Sequence, residues 1–570
     1  MSLLPPADLG LLPPIGSTAP VGDNRLDPST QSSDYTTLAP FWRLVDTIVA
    51  GVEAMRAAGE LYLYRFQEEK ADSRDSQNRI YDPYKLRLSK TPFTNIYADI
   101  LGNLSSKPFA KEFKLNDDAP DSYKTLAENI DGQDENLHVF GQKVFTDALN
   151  HAISWILVDF SRPAPREDGL PLTLADERAQ GLRPYWVHIP ATRMLAAYSD
   201  YEEGKEIITH ARIDEPSLML NGYLEVVVRK IRVFNRMPIG FDPQGKPNRW
   251  GPPTFVVWQF MQPQTQGQSG IWTVVDAGFL SLDYIPLVPI MLGTRTPGTY
   301  QVEPPLRNLA FMQIDEYNQE SNVQAVGEAT CFPMFTVIGR DPPKEGGGNL
   351  VVGPRSIIYV PVSSTGSQGD FKAVEPTGTS VRVIYDKLKE TRTEMRDLGL
   401  QPLTQTNLTV ITTGQVAVKA NSAVQAWAIL FKDGIERAWQ MTADWLGDSA
   451  YEPEVVIHLD YSAMLDQGTG FAANMQMRLN KDISRDTILA SAVRYGYLPD
   501  DFDPEKDAEA LATEAQGLSP EQPIDPVTGK PLTGLLSDQS AAMRQGAIKA
   551  AQNPQPPVGG NGSQPPAGGQ

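Results

Sequence analysis

The stretch that decides the fold runs from Pro304 to Gly447 and reads in four pieces. PPLRNLAFMQIDEYNQESNVQAVGEA (304–329) opens with prolines in a first turn, where a helix tolerates them, and sets Leu306, Leu309, Ala310, Ile314 and Tyr317 on one stripe. Residues 331–378 hold short strand-like pieces, PMFTVIG, NLVVGP and SIIYVPV, separated by turns at Gly346 to Gly348 and at Ser363 to Gly366, and read as a small β-rich unit. SVRVIYDKLKETRTEMRDL (380–398) is helical again, with Val381, Ile384, Leu388, Met395 and Leu398 on one side. A polar run, QPLTQTNLTVITTG (401–414), precedes QVAVKANSAVQAWAILFKDGIERAWQMTADWL (415–446). That last segment reads as one helix, about 48 Å long at about 1.5 Å per residue.

Working outward, the N-terminal side is first helical and then β-rich. Phe41–Leu63 carries Leu44, Ile48, Val52, Met55 and Leu61 near helical spacing. Residues 84–109 suggest a helix interrupted near Pro92 and ending before Pro108. Val144–Val158, with Val144, Phe145, Ala148, Ala152, Trp155 and Ile156 on one stripe, reads as a third amphipathic helix. The segments 183–190, 225–234, 253–260 and 271–280 are short, β-branched and aromatic, and read as strands of a mainly antiparallel sheet. On the C-terminal side, 452–462 reads as one more strand and 471–516 as compact helices. The fold class is therefore α+β. Residues 1–33 and 517–570, rich in Pro and Gly and without periodicity, read as a flexible arm and tail.

Composition narrows the function. A chain of 570 residues expects more than one domain. A single cysteine, Cys331, rules out a disulfide framework within the chain. The start, MSLLPPADLGLLPPIG, lacks a basic region and is broken by prolines, so no signal peptide is expected. No apolar run approaches the roughly 18 residues that span a bilayer, so a soluble protein made in a cytoplasm is expected, with no membrane partner. Fifty basic against seventy acidic side chains give a net charge of −20, and such a surface repels nucleic acid over most of its area.

A search for catalytic machinery finds none. The five histidines, His138, His151, His188, His210 and His458, show no metal-ligand spacing, and there is no GxSxG elbow or GxxxxGK[ST] phosphate loop. The acidic run DDFDPEKD (500–507) imitates a calcium loop, but Lys506 stands at the glycine position and Ala512 at the closing glutamate, so it reads as a helix start with acidic first-turn residues. Asp315 and Glu316 are adjacent on a helix and face different ways, which points to solvated or intersubunit contacts. The expectation is a protein that is not an enzyme and carries no cofactor or metal.

The order helix- and sheet-rich body, helix, β-rich insert, helix, polar loop, long helix, terminal helices resembles the portal proteins of tailed, double-stranded DNA bacteriophages. IPLVPIMLGTRTPGTYQVEPPLRNLAFMQIDEYNQES (285–321) looks like the approach to the first portal stem helix, an apolar Pro-flanked strand before a helix with an Asp-x-Tyr pattern. WRLVDTIVAGVEAMRAAGELYL (42–63), YKLRLSKTPFTN (84–95) and RPYWVHIPATRMLAAY (183–198) are similar to the N-terminal part and wing strand of a portal-like family of phage proteins. The resemblance covers roughly 35–516 and lies in joint order more than in any single motif. It implies a portal fold: wing 34–303, stem helix 304–329, clip 330–378, stem helix 379–398, tunnel loop 399–414, long wing helix and strand 415–465, and helical crown 466–516.

What the resemblance implies for function follows. The chain would form a ring, usually a dodecamer in portals, at one capsid vertex of the virion, assembled in the host cytoplasm, and DNA would pass through it at packaging and ejection. Tunnel-loop residues Gln401, Thr404, Gln405, Thr406, Asn407, Thr409 and Thr412 would touch the duplex without ion pairing. Clip residues Arg340, Lys344, Glu345, Arg355 and Tyr359 would dock the large terminase and later a head-tail adaptor. The wing would meet major capsid and scaffold proteins. Twelve copies would carry roughly −240 formal charges, which keeps double-stranded DNA centred and mobile instead of bound. The alternatives left open are another virion component of tail or baseplate, a hydrolase using scattered carboxylates, and a large α+β protein with an inserted β hairpin.

Overall fold

The computed structural model describes residues 12–67, 69, 82–161, 180–262, 270–331, 334–338, 357–360, 370–374, 379–399, 410–459, 461, 469–494, 496–499 and 502–517. The chain forms two compact units, Met1–Leu465 and Asp466–Gln570. The architecture is mixed helix and strand.

The N-terminal half of the first unit carries several helices whose starts are capped by side chains. α1 (Ser33–Val49) is capped by Ser32, whose Oγ accepts from Tyr35 N at 3.2 Å, and it buries Phe41, Trp42, Leu44, Val45 and Ile48. Gly51, at φ +89°, then breaks the chain before α2 (Val52–Ala58), so the expected single helix over 41–63 is two pieces. α3 (Pro83–Lys90) and α4 (Ile96–Ser106) flank Pro92, with Asp82 and Asn95 as their caps. α5 (Asp121–Glu128) and α6 (Leu137–His151) follow, the latter capped by Asn136.

Two readings are corrected just after α6. Ala152 takes a left-handed conformation, φ +72°, and ends the helix, so Trp155 and Ile156 lie on strand β3 (Ile153–Phe160) and not on a helix through Val158. β3 is central and buried on both faces over its first six residues, which are apolar apart from Ser154, and periodicity cannot separate such a strand from a buried helix. The segment 225–234 is likewise two strands that belong to different sheets.

The strands are β1 (Thr18–Pro20), β2 (Lys114–Leu115), β3, β4 (Pro184–Pro190), β5 (Met194–Glu202), β6 (Lys205–Asp214), β7 (Ser217–Asn221), β8 (Leu224–Val228), β9 (Lys230–Asn235), β10 (Pro238–Phe241), β11 (Pro247–Trp250), β12 (Thr254–Met261), β13 (Ile271–Phe279), β14 (Leu287–Met291), β15 (Thr294–Arg295) and β16 (Val302–Glu303). A six-stranded antiparallel sheet runs in the order β1-β13-β12-β9-β6-β5, and a three-stranded one in the order β14-β3-β4. β1 corrects the reading of the whole of 1–33 as a flexible arm, since Thr18–Pro20 pairs with Thr273–Ile271. β7 with β8, and β10 with β11, form separate two-stranded hairpins.

Helix α7 (Arg307–Cys331) leads to three short strands, β17 (Met334–Ile338), β18 (Ile357–Val360) and β19 (Asp370–Val374), in the order β18-β17-β19. β17 pairs parallel with β18 and antiparallel with β19. Helix α8 (Thr379–Leu398) follows, and α9 (Val410–Leu446) is the longest element at 37 residues, about 55 Å. The polar loop expected over 399–414 is therefore shorter, because its last five residues are already helix.

α9 returns into the core of the N-terminal half. Phe431 sets its ring 5.9, 5.6 and 5.3 Å from Phe109, Phe113 and Phe145, and Trp439 lies 5.0 Å from Trp186. Gly434 permits the approach to the sheet, since a Cβ there would stand 2.4 Å from Ile290 Cδ1. The last described strand of the first unit is β20 (Val455–Val456), on β2, shorter than the 452–462 expected. The second unit holds α10 (Thr469–Leu479), α11 (Arg485–Arg494) and α12 (Pro504–Gly517). Asp503 caps α12, accepting from Glu505 N at 3.0 Å, with Glu505 and Asp507 in the first turn. Among the described residues no helix is long and apolar enough to cross a membrane.

Candidate functional site

The candidate site is the helical pair α7 and α8, which brackets β17–β19, and the polar clamp at its root. Leu306 just before α7, Leu309, Ala310, Ile314 and Tyr317 of α7, and Leu388 and Met395 of α8 are buried. Amid these apolar groups the root carries charge. Glu316 is wholly buried, and its Oε1 accepts from Arg392 Nη2 at 2.6 Å and Nε at 2.8 Å. Arg392 also pairs with Glu320 and donates to Thr94 Oγ1 at 3.1 Å. Gln313 Nε2 donates to Glu316 Oε2 at 3.0 Å and to the Thr94 carbonyl at 2.9 Å, while its Oε1 accepts from Tyr97 N at 3.0 Å. Burial pushes the Glu316 carboxyl up to about 7, with Glu320 acting in the same direction and Arg392 opposing both.

A second clamp lies one turn on. Arg87 of α3 makes a two-pronged bond to Glu69, at 2.8 Å from both Nε and Nη2, and donates to Ser321 Oγ at 2.8 Å and to the Tyr64 carbonyl at 2.7 Å. Its guanidinium sits 4.0 Å over the Phe66 ring. Asn318 donates to the Tyr62 carbonyl at 2.8 Å and accepts from Tyr64 N at 3.1 Å. Removing one member of a buried ion pair costs about 3–5 kcal/mol, so these contacts fix the helical pair rigidly against the body. The expectation of a solvated or intersubunit Glu316 is thus corrected: its partner is Arg392, 76 residues on in the same chain. Residue spacing gives no sign of that pairing; the lone signal is an acid on the apolar stripe.

A second cluster tests for catalysis. His151 Nδ1 lies 2.7 Å from Asp147 Oδ1 and its Nε2 2.8 Å from Asp46 Oδ1. Burial alone would lower the His151 pKa, but the bonds to Asp147 and Asp46 raise it to about 9. Burial likewise opposes ionisation of Asp147, yet the bonds from His151 and His188 hold its carboxyl well below the usual range. Ser154 Oγ stands 2.9 Å from His188 Nε2, and Asp147 Oδ2 stands 3.3 Å from the same nitrogen. A serine nucleophile needs the acid on the opposite ring nitrogen and an exposed hydroxyl. Here both partners share one nitrogen and Ser154 is fully buried, so the contact ties α6 to β3 and β4. The sequence spacing did not bring these histidines together; Asp147 and His151, four apart on α6, were the available signal. Among the described residues no group of three or more His, Cys, Asp or Glu is placed to hold a metal ion.

Gln401, Thr404, Gln405, Thr406, Asn407 and Thr409 lie outside the described residues, as do Arg340, Lys344, Glu345 and Arg355. Thr412 falls on α9 and not in a loop, and Tyr359 on β18; their side chains are not described.

Residues 305–446 match a family model described as a domain of unknown function, DUF4055. The match starts two residues before α7 and ends on the last residue of α9. No curated protein matches the chain. Among solved structures it is similar to the neck of an empty GTA particle computed with C6 symmetry, at 10% identity over 69% of this chain and 89% of that one, with a TM-score of 0.35. It is also similar to the neck of a native GTA particle computed with C12 symmetry, at 9% identity over 68% and 87%, with a TM-score of 0.32. Overlays as loose as these do not assign a fold.

Proposed function

We propose that this chain is a portal-type protein, a non-enzymatic ring subunit of a tailed-phage virion through which double-stranded DNA passes. The observation that carries the reading is the unit α7, β17–β19, α8 and α9, clamped at its root by Glu316 and Arg392. A helical pair held this stiffly suits a wall that must keep its shape while a polymer moves along it. Phe311, Val383, Tyr385 and Leu398 leave apolar side chains exposed on the pair, and neighbouring copies in a closed ring would cover them. The net charge of −20 suits a channel that must not hold DNA, because each phosphate contact would resist movement. In this reading the β-rich unit docks the packaging motor and then a head-tail adaptor, and the body meets capsid and scaffold proteins. The buried Ser154 and its shared histidine nitrogen give no support to a serine nucleophile; a hydrolase using scattered carboxylates is a separate alternative.

Negative-stain microscopy of the purified full-length chain tests the proposal. Rings with a central channel are expected. A chain that stays monomeric across the accessible concentration range, or builds solid or filamentous particles, would overturn it.

A further inference from the structure

The geometry points to the β7–β8 hairpin as an arm by which one copy of this chain holds another. β7 and β8 bond only to each other among the described residues, so both outer edges are open. The register pairs Leu218 with Val227 and Leu220 with Glu225, which sets Leu218, Leu220, Glu225 and Val227 on one face. Met219, Leu224 and Val226 occupy the other face. The six apolar side chains are exposed, Leu220 at 77%, and at the tip Tyr223 is 109% exposed, as bare as in an extended peptide. Gly222 alone has a positive φ in the two-residue turn, +65°, the arrangement of a tight type II′ hairpin. The arm is thus well formed locally, while an isolated two-stranded hairpin is marginal in water.

The chemistry narrows the occupant. A hairpin that lies on a surface is apolar on one face and polar on the other. This one is mainly apolar on both, with Glu225 on one face and Ser217 and Asn221 on the other, so it suits insertion between two surfaces. At on the order of 100 Å² per aliphatic side chain and about 200 Å² for the tyrosine, allowing for partial exposure, it offers roughly 600 Å². An equal area on a receiving surface brings the total to roughly 1,200 Å², the lower bound of a specific protein–protein interface. Copies carrying −20 each repel one another, and among residues 217–228 Glu225 is the only ionisable side chain apart from Tyr223. A nearly uncharged apolar arm is the feature through which such copies can still associate. The occupant is therefore a second copy: each copy gives one arm and receives one, a head-to-tail contact that closes into a ring. The ring part of this inference rests on the proposed function; the arm itself does not.

The test compares the full-length chain with its Leu220→Asp/Tyr223→Asp variant by native mass spectrometry, with circular dichroism as the check on folding. Both side chains are exposed, so the variant should keep the wild-type spectrum and need at least tenfold more protein to assemble. Hydrogen exchange on the wild type should show residues 217–228 slowed at least tenfold in the assembly relative to the dissociated chain. Equal assembly of the two proteins, or no protection of 217–228, overturns the arm and leaves the ring reading standing. Arm-dependent dimers or open chains without a channel keep the arm and remove the ring. A wild type that never associates removes both. If the variant fails to fold, the exchange result on the wild type decides.

Discussion

At the scale of the residue, Glu316 is a carboxyl placed with no exposed side-chain surface. Its folded pKa of about 7 lies above the ordinary 4.5, so the folded state holds its proton more tightly than the unfolded one. The stability linked to that proton is complete below about 4.5 and is lost as pH rises through about 7. Glu316→Gln removes the titration but keeps the shape and the contact with Gln313. The variant loses the ion pair at every pH, yet relative to wild type it should gain about 1–3 kcal/mol between pH 5 and pH 8. Denaturant midpoints at the two pH values measure this; a difference that stays flat would mean that Arg392 keeps Glu316 ionised throughout. His151 is raised too, from 6.5 to about 9, but through its bonds to Asp147 and Asp46, so the stability linked to its proton is complete below about 6.5 and is lost as pH rises through about 9.

At the scale of the element, the start of α9 sets where the polar loop ends. Residues from Val410 onward are helix, so a deletion meant to probe the loop should remove 402–408 and spare the helix. Such a variant is expected to assemble as wild type and to package or retain DNA less well in a reconstituted particle. Loss of assembly instead would show that the segment is structural. The elements of this region were legible because α7 and α8 each carry one apolar stripe at helical spacing. Elsewhere the same rule misled. β3 is apolar on both faces and lacks any alternation, so Trp155 and Ile156 passed for a helical stripe. The split between β8 and β9 at Arg229 was hidden, because a strand that leaves its sheet looks no different in sequence from one that stays. The clamp was invisible for another reason: Arg392 and Glu316 meet only once the hairpin has folded back on itself.

At the scale of the whole molecule, the core of the N-terminal half is completed by residues from far along the chain. Phe109, Phe113 and Phe145 pack on Phe431, Trp186 donates from Nε1 to Thr442 Oγ1 at 2.9 Å, and β2 finds β20 some 340 residues later. For a chain emerging from a ribosome this order has a cost in time. At roughly 5–20 residues per second, the aromatic cluster waits about 7–30 s between synthesis of residue 303 and arrival of α9. During that interval it is an open apolar surface of the kind that chaperones bind. A fragment ending at 303 should therefore be recovered mainly in aggregates, and one ending at 465 should be recovered soluble, when the two are expressed side by side and separated by centrifugation. A soluble, cooperatively unfolding 1–303 fragment would show that the cluster closes without its helix. Translation of the last part of the chain thus doubles as the folding signal for the first, so a truncated copy would be withheld from any assembly whose subunits must already be folded.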